Sequence, residues 1–196
     1  MKKIILFTIL AGLLTACTVE EETIEINSTN LQTEDLECVI DTSNPPAVLG
    51  TTWLRTTVII ENDIDGNGDG IFSNDLMVES TCGTAVLQFR DDFTANNPMF
   101  NNFFLDVDDD GNGNLSQTVD CLIGDGIFPN YTQDGNVISF CYSGELAFTA
   151  TLAADEQTIT FNLDYEDYFF NNNNILNADG TVAVFQSNVI ITYTRQ

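Results

Sequence analysis

The chain opens on a short apolar run, residues 4–14, interrupted only by Thr8 and Gly12 and preceded by Lys2 and Lys3. A helix needs about 20 apolar residues to cross a bilayer, so this run is too short for a mature span and reads as a signal-peptide core. From about Val19 to Asp41 the pattern is polar, with isolated apolar positions and no sustained period, as in a tether. Beyond it the periodicity is that of strands. Residues 52–61, with Trp53, Leu54, Val58, Ile59 and Ile60, are rich in β-branched and aromatic side chains. Further candidates are 85–89, 103–107, 137–142, 145–152, 158–165, 181–185 and 189–194. Residues 145–152 and 158–165 alternate polar with apolar around a five-residue connection, which predicts a hairpin. Asp134-Gly135 and Asp179-Gly180 are turn pairs leading into strands. No stretch beyond residue 16 holds a helical apolar stripe for three turns, and 75–79 suits no more than a short turn. About eight strands with turn signals between them predict an all-β domain, a single antiparallel meander barrel or sandwich. The expected organisation is a signal peptide over 1–16, a tether over 17–47 and the β domain over 48–196.

Composition narrows what such a domain can do. The 180 residues after position 16 carry three basic side chains (Arg55, Arg90, Arg195) against 30 acidic ones, a formal charge of −27. Nucleic acid is excluded as a partner, because binding it depends on neutralising phosphates with Lys and Arg. The chain has no histidine, and its only lysines are Lys2 and Lys3. That removes Ser-His-Asp and Cys-His catalysis, lysine Schiff bases, the P-loop lysine and histidine-ligated zinc. Carboxylate chemistry of the glycosidase kind survives the filter, but no motif directs it. The expectation is therefore a protein that is not an enzyme.

Leu14-Thr15-Ala16-Cys17 resembles the lipobox of bacterial lipoproteins, in which the cysteine becomes the lipidated first residue. The resemblance implies that Cys17 carries a lipid anchor, each buried methylene adding about 0.8 kcal/mol of membrane attachment. Glu20-Glu21-Glu22 just behind it is similar to the surface-export signals of Bacteroidota lipoproteins. The implied location is the outer membrane, with display at the cell surface. Cys38, Cys82, Cys121 and Cys141 remain, and an oxidising compartment predicts two disulfides with three possible connectivities. Cys121 with Cys141, closing a local hairpin, and Cys38 with Cys82 is the preferred expectation.

Leu49-Gly50-Thr51-Thr52-Trp53 ahead of a long strand resembles the opening of lipocalin-like domains, with two residues between Gly50 and Trp53 instead of one. A cysteine shortly before an apolar strand (Cys82, then 86–89) and the ending Ile191-Thr192-Tyr193-Thr194-Arg195-Gln196 are similar to small lipocalin-like lipoproteins of the Bacteroidota. The resemblance implies a lipocalin-like barrel over about 48–196.

One local pattern occurs twice. Asp65, Asn67, Asp69 and Ser73 stand at relative positions 1, 3, 5 and 9 of the first segment, with Gly70 at 6. Asp108, Asp110, Asn112 and Ser116, with Gly113, repeat it. The spacing resembles the EF-hand calcium loop without its helices: alternate side chains turn inward, glycine makes the sharp turn, and the position-7 carbonyl (Ile71 or Asn114) adds an oxygen. Leu76 and Val119 stand where an EF-hand has its bidentate glutamate. Asp75 or Glu79 in the first segment and Asp120 in the second are the substitutes within reach. Without a fixed bidentate ligand, calcium affinity is expected at about 10⁻⁴–10⁻³ M. The alternative is that Asp, Asn and Gly are making ordinary surface turns.

These readings predict a membrane-anchored extracytoplasmic binding lipoprotein with calcium-stabilised loops. Its ligand would be a small apolar molecule in the barrel mouth, a glycan, or a protein. Phe100, Phe103, Phe104, Phe169 and Phe170, beside Asn-rich segments, are the expected ligand rim, and Asn171 to Asn174 an exposed loop. The alternatives are a structural or assembly lipoprotein without a small ligand, or a carboxylate-based glycan-active enzyme. An open apolar barrel mouth favours a ligand, whereas a filled interior favours a structural or protein-interaction role.

Overall fold

The computed structural model describes residues 38–96, 101–123, 128–168 and 173–196. Among them are twelve strands and one helical turn, Tyr165–Tyr168. The long first strand, β1 (Thr52–Ile64), pairs along one edge with the last, β12 (Val189–Arg195). From β12 the antiparallel neighbours continue through β9 (Thr158–Leu163), β8 (Glu145–Leu152), β7 (Val137–Tyr142) and β6 (Asn130–Asp134). Beyond β6 a bridge joins Asn130 to Thr94, and a second joins Ala95 to Phe89. Phe89 directly follows β3 (Val86–Gln88), which pairs back onto the start of β1. Asn96 seals this junction, accepting from Gln88 N–H and donating to the Val86 carbonyl. The pairings thus return to β1, and ring neighbours are also chain neighbours: a closed antiparallel meander of eight members.

Alternation along each strand sets which side chains enter the ring. In β1, Trp53 and Arg55 point inward; a register shift between Arg55 and Thr57 then resets the phase, so that Val58 and Ile60 also face in. Large side chains occupy the interior: Trp53, Phe89, Tyr131, Phe140, Phe161 and Tyr193 are all at most 1% exposed. Ring contacts run from Tyr131 to Phe89 (4.8 Å), to Phe140 (5.9 Å), to Phe161 (5.6 Å) and to Tyr193 (5.8 Å). An eight-strand barrel is just wide enough for side chains to fill or for one small ligand to enter. Here side chains fill it.

The remaining elements are insertions. β2 (Ser73–Asp75) pairs with the end of β1, beyond the stretch that β3 covers. β4 (Asn101–Asp109) and β5 (Leu115–Ile123) form a hairpin, as do β10 (Asn174–Leu176) and β11 (Val182–Val184). In an up-and-down ring, the connections after β1, before β6 and after β9 all leave from one end. Phe103, Leu105, Val119, Leu76, Ile175 and Phe185 on these insertions join the same buried core.

Two disulfides brace the domain: Cys38–Cys141 and Cys82–Cys121. The expected pairing, Cys121 with Cys141 and Cys38 with Cys82, is corrected. Cys121 lies on the β4–β5 insertion, whereas Cys141 lies on β7, whose neighbours are β6 and β8. Cys38 therefore belongs to the folded domain, ten residues before its expected start. Val48, part of the turn ahead of β1, is fully buried, and its N–H donates to Gln133 of β6.

Candidate functional site

Loops and hairpins converge at the insertion end of the ring, and both Asp/Asn/Gly segments lie there. Their folds differ. The first leaves β1 at Asp65 and returns at β2. Asp65 Oδ2 accepts from Gly70 N–H (3.1 Å), Asn67 Oδ1 from Asp69 N–H (2.9 Å), and Asp69 Oδ1 from Ile71 N–H (2.7 Å). These bonds turn oxygens of all three side chains toward the loop's own backbone. Asp65 Oδ1 is buried with no hydrogen-bond partner. An orphaned buried acceptor carries a desolvation cost of about 1–3 kcal/mol, more when charged.

The floor of this loop is tight. Glu79, 1% exposed, takes Gly66 N–H on Oε2 at 3.0 Å. A Cβ on Gly66 would lie 2.3 Å from Val119 Cγ2 and 2.7 Å from the Glu79 carbonyl oxygen. Glycine is required here by close approach. Asp75 faces elsewhere: its Oδ1 accepts from Val58 and Met77 N–H, both at 3.0 Å, while Ser73 Oγ accepts from Asp75 N–H at 3.1 Å. Of the two expected substitutes for the EF-hand glutamate, Glu79 is the one that reaches the loop.

The second segment is the tip of the β4–β5 hairpin. Asp108 stands directly across the ladder from Ser116, so relative positions 1 and 9 are cross-strand partners and do not wrap a common centre. Asp110 takes Asn112 N–H (2.8 Å) and Asn114 N–H (3.2 Å) on Oδ1, and the Asn114 side-chain amide (2.7 Å) on Oδ2. Those bonds, the Asn114 amide foremost, hold the Asp110 carboxyl down to about 2. Among the described residues no three His, Cys, Asp or Glu side chains converge as a metal-binding group. Any cation at these segments would therefore rely on amide, hydroxyl and carbonyl oxygens beside isolated carboxylates.

The expected aromatic rim is revised. Phe103 is 1% exposed and lies under the Arg55 guanidinium, 4.8 Å from the ring centre, so it closes the barrel end. Phe100, Phe169 and Phe170 fall outside the described residues, as do Asn171 and Asn172. Asn173 is not an exposed loop residue: it is 3% exposed, and its Oδ1 accepts from Leu105 N–H at 2.7 Å. Gln117 acts similarly, donating to the Asp106 and Asn174 carbonyls and accepting from Leu176 N–H at 2.7 Å. These two amides stitch the β4–β5 hairpin to the β10–β11 segment.

Between the first loop and these two hairpins lies a cleft of about 310 Å³. Phe72, Leu115 and Leu176 are its large apolar lining residues, and Asp65, Ser116, Gln117 and Asn177 its polar ones. Phe72 is 45% exposed and Leu115 39%. Sequence reasoning singled out Asp65 and Ser116 for metal and missed Phe72, Leu115, Leu176 and Asn177. Their grouping depends on three insertions far apart in the chain, so no local pattern announces it. Comparison with protein families, curated proteins and solved structures finds no match for this chain.

Proposed function

We propose that this chain is a lipid-anchored extracytoplasmic binding protein that works through the insertion end of its barrel and not through the barrel interior. One observation carries the reading: the interior is filled by aromatic side chains, while three insertions meet at one end around an open cleft. A small apolar ligand inside the ring has no support from this packing. Lipidation at Cys17 and attachment at the outer membrane, with display at the cell surface, rest on the lipobox-like and acidic sequences. The eight-membered meander and the stacking of Arg195 over Trp53 (5.6 Å), which joins the two ends of the domain, support a lipocalin-like architecture.

In this reading calcium steadies the first loop. One oxygen there suits a hard cation: Asp65 Oδ1 is buried and orphaned, while Asn67 Oδ1, Asp69 Oδ1 and Glu79 Oε2 around it accept from loop N–H groups. Bound calcium would satisfy the orphaned oxygen and fix the wall of the cleft. The second segment likewise gives Asp110 to its own hairpin N–H groups, and among the described residues it has no orphaned buried oxygen to offer a cation.

Thermal melts of the full chain in EDTA, calcium and magnesium test this. A ligand bound only by the folded state adds about 2.7 kcal/mol at a hundred times its Kd. Calcium is expected to raise the midpoint above an equal concentration of magnesium, with Asp65→Asn abolishing the difference and Asp110→Asn leaving it. Equal effects of the two ions would leave the first loop an ordinary turn. Labelling with a radioactive fatty acid, lost in Cys17→Ser, is the separate check of the anchor.

A further inference from the structure

We propose that the cleft at the insertion end is a binding site for a neutral saccharide. The proposal rests on the reading that this end is the binding face, and it adds the class of ligand. At about 310 Å³ the cleft sits at the small end of the range of ligand pockets, about 300–1000 Å³, a size suited to one or two pyranose rings.

The lining selects the chemistry. A pyranose presents an apolar face of C–H bonds and a belt of hydroxyls that both donate and accept. The half-exposed ring of Phe72, with Leu115 and Leu176, gives a wall for the apolar face. Ser116, Gln117 and Asn177 line the cleft beside that wall as its neutral polar residues, and Asp65 borders it with Oδ1 buried and Oδ2 held by Gly70 N–H. Asn177 is itself oriented: its Nδ2 donates to Thr181 Oγ1 at 3.0 Å, and its N–H donates to the Thr181 carbonyl. A purely apolar ligand would strip water from these polar groups without replacing their hydrogen bonds.

Charge excludes the anionic alternatives. Among the described residues, no basic side chain lines the cleft. The three arginines beyond residue 16 are engaged elsewhere: Arg55 over Phe103, Arg90 over Phe128 at 3.8 Å, and Arg195 over Trp53 with Glu156 at 3.7 Å. A sulfated or carboxylated glycan would approach a surface of net negative charge with no basic side chain in the lining to meet it. A cationic peptide would be drawn by the overall charge but would find a single carboxylate in the lining.

Isothermal titration of the detergent-solubilised full chain against maltotriose, xylotriose, mannotriose and diacetylchitobiose, each to about 10 mM, is the test. A sulfated heparin tetrasaccharide and trilysine serve as charged controls. At least one neutral sugar is expected to bind with a Kd of about 0.1–1 mM. Phe72→Ala, at an exposed position, should weaken it at least about tenfold, a cost of roughly 1.4 kcal/mol, and Phe72→Tyr should keep it. Leu115→Arg, which fills the cleft, is the second variant and should abolish binding. Absence of binding by all four sugars overturns the proposal, as does undiminished binding in Phe72→Ala and Leu115→Arg. So does equal or tighter binding of trilysine or of the sulfated sugar. Cys17→Ser is expected to leave sugar affinity unchanged, so failure of the anchor reading and failure of the saccharide reading are separable.

Discussion

Tyr193 lies at the end of the aromatic chain inside the ring, and burial pushes its phenol up to about 12, against the opposing pull of the Arg55 guanidinium. The folded protein therefore holds this proton more tightly than the unfolded chain, whose phenol titrates near 10. The stability this contributes is complete below about pH 10 and is lost as pH rises through about 12. Tyr131, raised by burial and by Asp91 and Asp92, acts in the same direction. The melting midpoint is expected to fall steeply between pH 10 and 12, and Tyr193→Phe to flatten that fall, read by circular dichroism. A fall unchanged in Tyr193→Phe would assign the alkaline transition to other groups. At this scale the strand pattern marked Trp53, Val58 and Ile60 as strand residues, and they are buried. The readings of Phe103 as ligand rim and of Asn173 as exposed loop failed, since an amide in an asparagine run carries no mark of the backbone N–H it will accept. Phe103 likewise shows nothing in sequence of the guanidinium above it.

Strands 137–142 and 145–152 fall where the alternation places them, with Gly135 at φ +57° in the turn ahead. β5, β6, β10 and the three-residue β2 were not anticipated. Each is short or polar and becomes a strand through its partner: Gln117 and Thr118 of β5 pair with Val107 and Asp106. The same dependence splits the two Asp/Asn/Gly segments. The second is flanked by two strands that pair through nine positions, so it becomes a hairpin tip. The first is flanked by β1 and the much shorter β2, and keeps an open loop. The disulfides act at this scale as well. Cys82–Cys121 ties the first insertion to the hairpin across 39 residues, and Cys38–Cys141 closes 103. On loop-closure entropy, removing the first should cost about 3.5–4 kcal/mol and the second about 4.7 kcal/mol. Calorimetry of Cys82→Ser/Cys121→Ser and Cys38→Ser/Cys141→Ser is expected to give losses of this size, larger for the second pair. The reverse order would place the loss in native-state contacts and not in chain entropy.

For the whole molecule, the dominant facts are a filled ring and a surface of one sign. All three arginines beyond residue 16 lie over aromatic rings, and Arg195 also meets Glu156, so the 30 carboxylates are largely uncompensated. Self-repulsion of that charge opposes the compact state and is screened by salt over a Debye length of about 10 Å at 0.1 M. Raising sodium chloride from about 0.01 to 0.5 M is expected to raise the melting midpoint by several degrees before any specific ion is added. That increment is the baseline above which calcium must act. A midpoint independent of sodium chloride would mean that the carboxylates are spaced too widely to repel.

By itself, the sequence determined the class of the fold, the sign of the net charge and the absence of histidine. Strand periodicity, turn pairs and the count of ionisable residues are local or additive properties that need no third dimension. Tertiary structure alone decided the cysteine partners, the filling of the ring and the meeting of Phe72, Leu115, Ser116 and Asn177 around one cleft. Each of these joins residues tens of positions apart. Their proximity follows from which strand edge lies beside which, and that pairing is set by the burial of the whole core at once.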